Sequence, residues 1–337
     1  MINDISHPGE SNDKSLTTVN SILISKWREL LAGSLFVLFF LLFTVISPGF
    51  GSSRVFSVIL LHGAELGIIA IGPTLLIISG EMDLSVASVY AFSIFVIFTF
   101  ANWGFPLVVC FLLALAYGAL AGLINGILTL KFRIASFITT FGTLVFWRTA
   151  LAGLTGGDAT YFRGDNTVIV NLFGGNFGII PKQFLWFLVF AVTFSLILNR
   201  SKLGNHIMAT GGNAKTAAAM GVNTYRTKLI CFVISSTLAA FSGAMLTARI
   251  NYIDPIIGLG LEFEAVAAAV IGGTLLTGGI GSITATSIGA FLLKQIQHGV
   301  AMYGVKVEYY RVVIGVLLVL AAIVNTQMTR RILKIEN

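Results

Sequence analysis

Cysteine is scarce in this chain. Cys110 and Cys231 both stand inside apolar stretches without a CxxC companion, which excludes a disulfide framework and a thiolate metal site. They read as packing residues. Charge is scarce too: 10% of the 337 residues are Asp, Glu, Lys or Arg against 56% hydrophobic, and mean hydropathy is +0.92. So few charges cannot cover the surface of a soluble domain. Twenty-one basic residues against 14 acidic ones leave a formal charge of +7. They gather at the ends of apolar runs rather than along one amphipathic or aromatic-interleaved face. Orientation in a bilayer accounts for that pattern, and nucleic-acid binding is set aside. Absent as well are GxxxxGK[ST], HExxH and GxSxG. Without a phosphate loop or a catalytic constellation the chain is expected to be no enzyme, to hydrolyse no ATP and to bind no cofactor or metal itself.

What is present is a succession of apolar runs long enough to cross a hydrocarbon core of about 30 Å: residues 30–47, 55–79, 84–101, 106–130, 136–155, 183–199, 228–248, 263–277, 282–301 and 309–326. The expected fold is all-α, a polytopic membrane helical bundle of about ten transmembrane helices in which the eighth is short. Residues 1–26, polar and without a signal-peptide pattern, read as a disordered cytoplasmic tail. Residues 27–329 form the transmembrane domain and 330–337 a second cytoplasmic tail. With both termini cytoplasmic, Lys14, Lys26, Arg28, Lys131, Arg133, Arg200, Lys202, Lys215, Arg226, Lys228, Arg330, Arg331 and Lys334 fall inside. Only Arg54, Arg163, Lys182, Arg249, Lys306 and Arg311 fall outside, as the positive-inside rule asks. Gly118, Gly122 and Gly126 recur every four residues in the fourth run, and close helix packing is favoured there over a pore role. Residues 155–183 make the longest external loop, with Tyr161, Phe162, Phe173 and Phe177. It reads equally as a receiver for an extracellular partner or as a cover over the span ends.

Ionisable residues at membrane depth are few: His62 and Glu65 in the second run, Arg148 in the fifth, Lys294 and His298 in the ninth. Each is costly in lipid and is expected to face the bundle interior. Glu65, Arg148 and Lys294 lie at similar depth, about 10 to 15 Å from the outer boundary at 1.5 Å per residue. They are expected to meet, either as a polar translocation path for a hydroxylated solute or as a structural ion pair of Glu65 with Arg148 or Lys294. For the two histidines, interhelical hydrogen bonds are favoured over ligand contacts.

The longest polar interruption of the second half is residues 200–228, RSKLGNHIMATGGNAKTAAAMGVNTYRTK. Asn213, after Gly212, is an N-cap candidate for a helix of about two turns containing Ala217, Ala218 and Ala219. Gly221 stands where such a helix ends in a left-handed residue. A small, Ala-rich cytoplasmic surface suits protein docking better than membrane anchoring. Two other glycine punctuations, Gly80 with Asp83 and Gly272, Gly273, Gly278, Gly279 with Gly281, are expected at cytoplasmic turns.

Four stretches carry a family resemblance. SGEMDLSVASV (residues 79–89), SFITTFGTL (136–144), LGNHIMATGGNAKTAAAMGVN (203–223) and GLEFEAVAAAVIGGTLLTGGIGS (260–282) resemble motifs of the membrane permease subunit of bacterial ABC importers of the ribose and monosaccharide type. The chain departs from the pattern at Pro73, Glu81, Ala87 and Leu261. The resemblance implies a subunit in the bacterial inner membrane and a second permease subunit, identical or paralogous. It also implies cytoplasmic ABC ATPase subunits that use ATP and Mg and dock on the 200–228 coupling loop, and a periplasmic or lipid-anchored binding protein that delivers a sugar. An autonomous carrier or channel is the competing expectation, and a membrane scaffold a third. The capped helix discriminates, because an autonomous carrier has no need of such a helix displayed in the cytoplasm.

Overall fold

The computed structural model describes residues 10–162, 167–306 and 308–335. Arg163 and the tail residues 1–9 and 336–337 lie outside them. In a bilayer each backbone N–H and C=O must find an internal partner, so long apolar runs become helices. The helices are α1 (Glu10–Ile46), α2 (Ser53–Ile78), α3 (Val86–Asn102), α4 (Leu107–Phe132), α5 (Ser136–Thr155), α6 (Thr167–Phe173), α7 (Lys182–Arg200), α8 (Lys202–Gly212), α9 (Ala214–Ala219), α10 (Thr224–Leu246), α11 (Leu261–Ile271), α12 (Ile283–Met302) and α13 (Glu308–Ile335). Among the described residues seven are long and apolar enough to cross a membrane, α3 being a shorter apolar helix of 17 residues. This is a helical membrane protein.

Two expectations need correction. Residues 10–26 are not a disordered tail but the start of α1, since the stretch after Pro8 and Gly9 contains no Gly or Pro to break a helix. Residues 330–335 likewise continue α13. The eighth apolar run is not a spanning helix. With 11 residues α11 rises about 16 Å, half of a hydrocarbon core. Gly260, at φ 94°, starts it, and the chain leaves the helix at Gly272.

The centre of the bundle is α2 and α10, each buried for most of its length. Small residues make this possible. A side chain on Gly118 would meet Ala240 and the Ser236 carbonyl, one on Gly122 the Phe232 carbonyl, and one on Gly126 Leu229, so the four-residue glycine spacing of α4 is its seam with α10. Gly72 meets Ser235 of α10 in the same way. By contrast α5 and α13 expose most of their apolar surface. At one end of the bundle β1 (Thr160–Tyr161) pairs antiparallel with β4 (Tyr252–Ile253), and β2 (Asn176–Phe177) with β3 (Ile180–Pro181). Phe162 and Phe173 are buried there, Phe173 among Phe111, Trp186 and Phe241. That part of the 155–183 loop covers span ends, while Phe177 stays exposed.

Candidate functional site

At one end of the bundle three turns meet backbone to backbone. Asn213 caps α9, its Oδ1 accepting from the N–H groups of Lys215 and Thr216 at 3.1 Å each. Gly221 follows at φ 85°, the left-handed conformation that a β-branched residue resists. Ala217 is 5% exposed and faces the bundle, whereas Ala218, Ala219 and Met220 face out, Met220 at 82%. Ala214, Lys215 and Thr216 are exposed as well, so the unit presents small residues with one lysine and, just past the helix, Met220. Met220 was legible only as an apolar residue stranded in a polar loop.

This element reaches the core through α8. A side chain at Gly211 would overlap the Ile78 carbonyl and the Gly279 backbone nitrogen, and Gly278 sits against Gly211 and Gly80. The Gly279 N–H donates to the Ile78 carbonyl at 2.8 Å. Gly212 has open space around it, Gly272 abuts the backbone of Thr286, and Gly281 abuts Ile78 and Thr274. Lys228 at the start of α10 pairs with Glu81 at 2.6 Å. The end of α8 that carries α9, the end of α2 and the turn of residues 272–281 are therefore in direct contact, which sequence spacing had no means of showing.

Asp83 is more than a turn residue. Its Oδ1 accepts from Ser85 N and Oγ at 2.9 and 2.6 Å, and its Oδ2 from Ser235 and Ser236 of α10 at 2.9 and 3.4 Å. Asn125 of α4 donates to Ser85 Oγ, and Thr143 of α5 to Asn125, both at 2.8 Å. Burial raises the Asp83 pKa, and the four donors partly offset that. A carboxylate anchored by hydroxyls on separate elements fixes the α2–α3 turn to α10, α4 and α5. The signal in the sequence was Asn125 and the Ser235-Ser236 pair standing inside apolar runs.

Deeper in the bundle the ionisable residues sort into separate sets. Glu65 does not meet Arg148 or Lys294. It takes both oxygens to Arg249 Nη2, at 2.7 and 2.8 Å, with His62 Nδ1 at 3.5 Å. His298 joins them through ring contact with His62, centroids 5.3 Å apart. Lys294 pairs with Glu264 of α11 and donates to Gln297 Oε1 at 3.0 Å. Among the described residues Arg148 forms no ion pair with a carboxylate. Its Nη1 donates to the carbonyls of Pro255 and Ile257 at 2.8 and 2.5 Å, and its Nη2 to that of Ala87 at 3.4 Å. The expectation failed because depth along a helix says nothing of azimuth, and because Arg249 reads as an outer-boundary residue.

Those contacts reveal the path of the chain after α10. From β4 at one end of the bundle it runs inward without helix or strand, held by Arg148, until Gly258 meets Tyr90 and Ala87 near the start of α3. There α11 begins, with Glu262 Oε2 accepting from the Gly260 N–H at 3.1 Å. A half-helix starting inside the bundle after an irregular descent is an architecture that places backbone dipoles and polar groups at membrane depth. Beside it lies a cavity of about 250 Å³ lined by Glu264, Gln297, Tyr310, Arg311 and Leu259.

A model of the family described as the permease component of branched-chain amino acid transport systems matches residues 55–322. The chain belongs to this family. Over 293 residues it is 34% identical to the probable ABC transporter permease protein YphD of Escherichia coli, covering 87% of each chain. Over 314 residues it is 30% identical to the L-arabinose ABC transporter permease protein AraH of Azospirillum brasilense, covering 92% of each. It is also 31% identical over 259 residues to the ribose import permease protein RbsC of Bacillus subtilis, covering 77% of this permease and 80% of that protein. No solved structure matches. The permease is thus a multi-pass membrane subunit of an ABC importer. The motifs at residues 79–89 and 260–282 bracket the three-turn contact and the half-helix.

Proposed function

We propose that this permease carries a monosaccharide, a ribose-like pentose or a hexose, from an external binding protein through the bacterial inner membrane, driven by a separate ATPase that docks on α9. The observation that carries this reading is the backbone contact of α8 with the end of α2 and the 272–281 turn. It gives an outward docking face a rigid route into the membrane, and an autonomous carrier would have no use for it. The names of the relatives supply the sugar class. The chain itself performs no chemistry, and ATP and Mg belong to the partner.

In this reading both termini are cytoplasmic and there are ten crossings, the eighth built from an irregular descent plus α11. A descent of that kind keeps the parity that a cytoplasmic RRILK tail requires. A second permease subunit covers the exposed apolar faces of α5 and α13. The solute path runs by the N-terminal end of α11, where Glu264, Gln297 and Arg311 surround the small cavity. The Glu65, Arg249, His62 and His298 set holds the outer end together. Reconstitution with the ATPase and a panel of solutes tests the proposal: sugar-stimulated hydrolysis is expected for one monosaccharide class. Stimulation by an amino acid alone, or uptake without ATPase, would overturn it.

A further inference from the structure

We propose that the crevice between α1 and α13, closed at its base by α11 and α12, is a binding site for an anionic glycerophospholipid. Its phosphate lies against Arg28 and one acyl chain runs along α1. The crevice encloses about 450 Å³. Its wall on α1 is Leu31, Leu35, Leu38 and Phe39, a stripe that follows Arg28 up the helix for about 16 Å at 1.5 Å per residue.

The polar end is what selects the occupant. The methylenes of Arg28 lie against Gly273, and its guanidinium stands 5.1 Å from the Trp27 ring centroid. Among the described residues no carboxylate pairs with it, and its buried Nε has no hydrogen-bond partner. Neighbouring Glu29 is engaged elsewhere, accepting from Ser282 Oγ at 2.7 Å. Across the crevice Asn325, 4% exposed, donates through Nδ2 to the Thr274 carbonyl at 3.1 Å and leaves Oδ1 without a partner. Orphaned buried polar atoms call for a ligand, because each costs the free energy of its lost hydration. A cationic donor on one wall and an acceptor on the other, lining one apolar slot beside an interfacial tryptophan, fit a phosphate and a headgroup hydroxyl above an acyl chain. Gly273 and Thr274 belong to the turn that bears on Gly211, so the lipid would brace the element through which α9 acts.

The test is native mass spectrometry of the full-length chain in micelles holding equal amounts of phosphatidylglycerol and phosphatidylethanolamine with identical acyl chains. Retention of phosphatidylglycerol should exceed that of phosphatidylethanolamine about fivefold, the factor one basic residue contributes at an anionic surface. Arg28→Gln should bring the ratio near unity, while Arg54→Gln leaves it unchanged. Leu320→Trp, which fills the slot without altering charge, should lower retention of both lipids. Excess glycerol phosphate should not displace the lipid. Equal retention by the parent would overturn the proposal, as it would if a second copy of the chain fills the crevice. Full displacement by glycerol phosphate, or unchanged retention in Leu320→Trp, would overturn it even if Arg28→Gln fails to fold. None of these readings depends on which solute is transported.

Discussion

Glu65 and Arg249 show what a single buried pair does in this bundle. The carboxylate is almost wholly enclosed, and Arg249 is its main counter-charge. Removing one member leaves the other with a desolvation cost and no compensation. Glu65→Gln should lower stability in micelles by about 1 to 3 kcal/mol. Adding Arg249→Gln should restore part of that loss, because both charges are then gone. Thermal unfolding of the single and double variants reads this directly, and additive losses would show that the two do not act as a pair. The sequence marked Glu65, His62, His298, Arg148 and Lys294 as interior residues through their cost in lipid. It could not assign partners, since Arg249 lies in a turn past α10 and Glu264 on a half-helix whose position only tertiary packing determines.

At the scale of elements, adjacent glycines at the end of α8 should behave oppositely. Gly211→Ala forces a methyl into the backbones of Ile78 and Gly279, an overpacking of about 1 to 3 kcal/mol that neither backbone can relieve. Gly212→Ala meets nothing and should stay within about 0.5 kcal/mol of the parent. The expected outcome is loss of ATP-driven uptake in the first and parental uptake in the second; equal behaviour would mean that the three-turn contact does not transmit motion. Most elements were legible: spanning helices announce themselves by length and hydropathy, and α9 by Asn213 and Gly221 as its caps. The exception is α11. LEFEAVAAAVIGGTLL reads as one apolar run, and only the positive φ at Gly260 with the descent held by Arg148 shows that the helix begins halfway down.

Taken whole, the molecule is a bundle with one polar handle. The α9 unit projects Ala218, Ala219 and Met220, and behind it Gly211, Gly80 and Gly278 tie it to α2 and the 272–281 turn. Gly221→Val should misplace that handle, since the left-handed backbone at φ 85° is strained for a β-branched residue. Its signature would be weakened ATPase capture with unchanged helix content by circular dichroism, and parental capture would contradict the role given to the cap. The most direct test of the account is Ala218→Arg. The Ala218 side chain is exposed, so folding and membrane insertion should be parental, while a long charged side chain blocks close docking. The measurement is uptake by proteoliposomes reconstituted with the ATPase and binding protein, alongside pull-down of the ATPase. Both should fall at least about tenfold, the equivalent of 1.4 kcal/mol at the docking face. Parental uptake and parental capture in Ala218→Arg would contradict the claim that the motor drives this permease through α9.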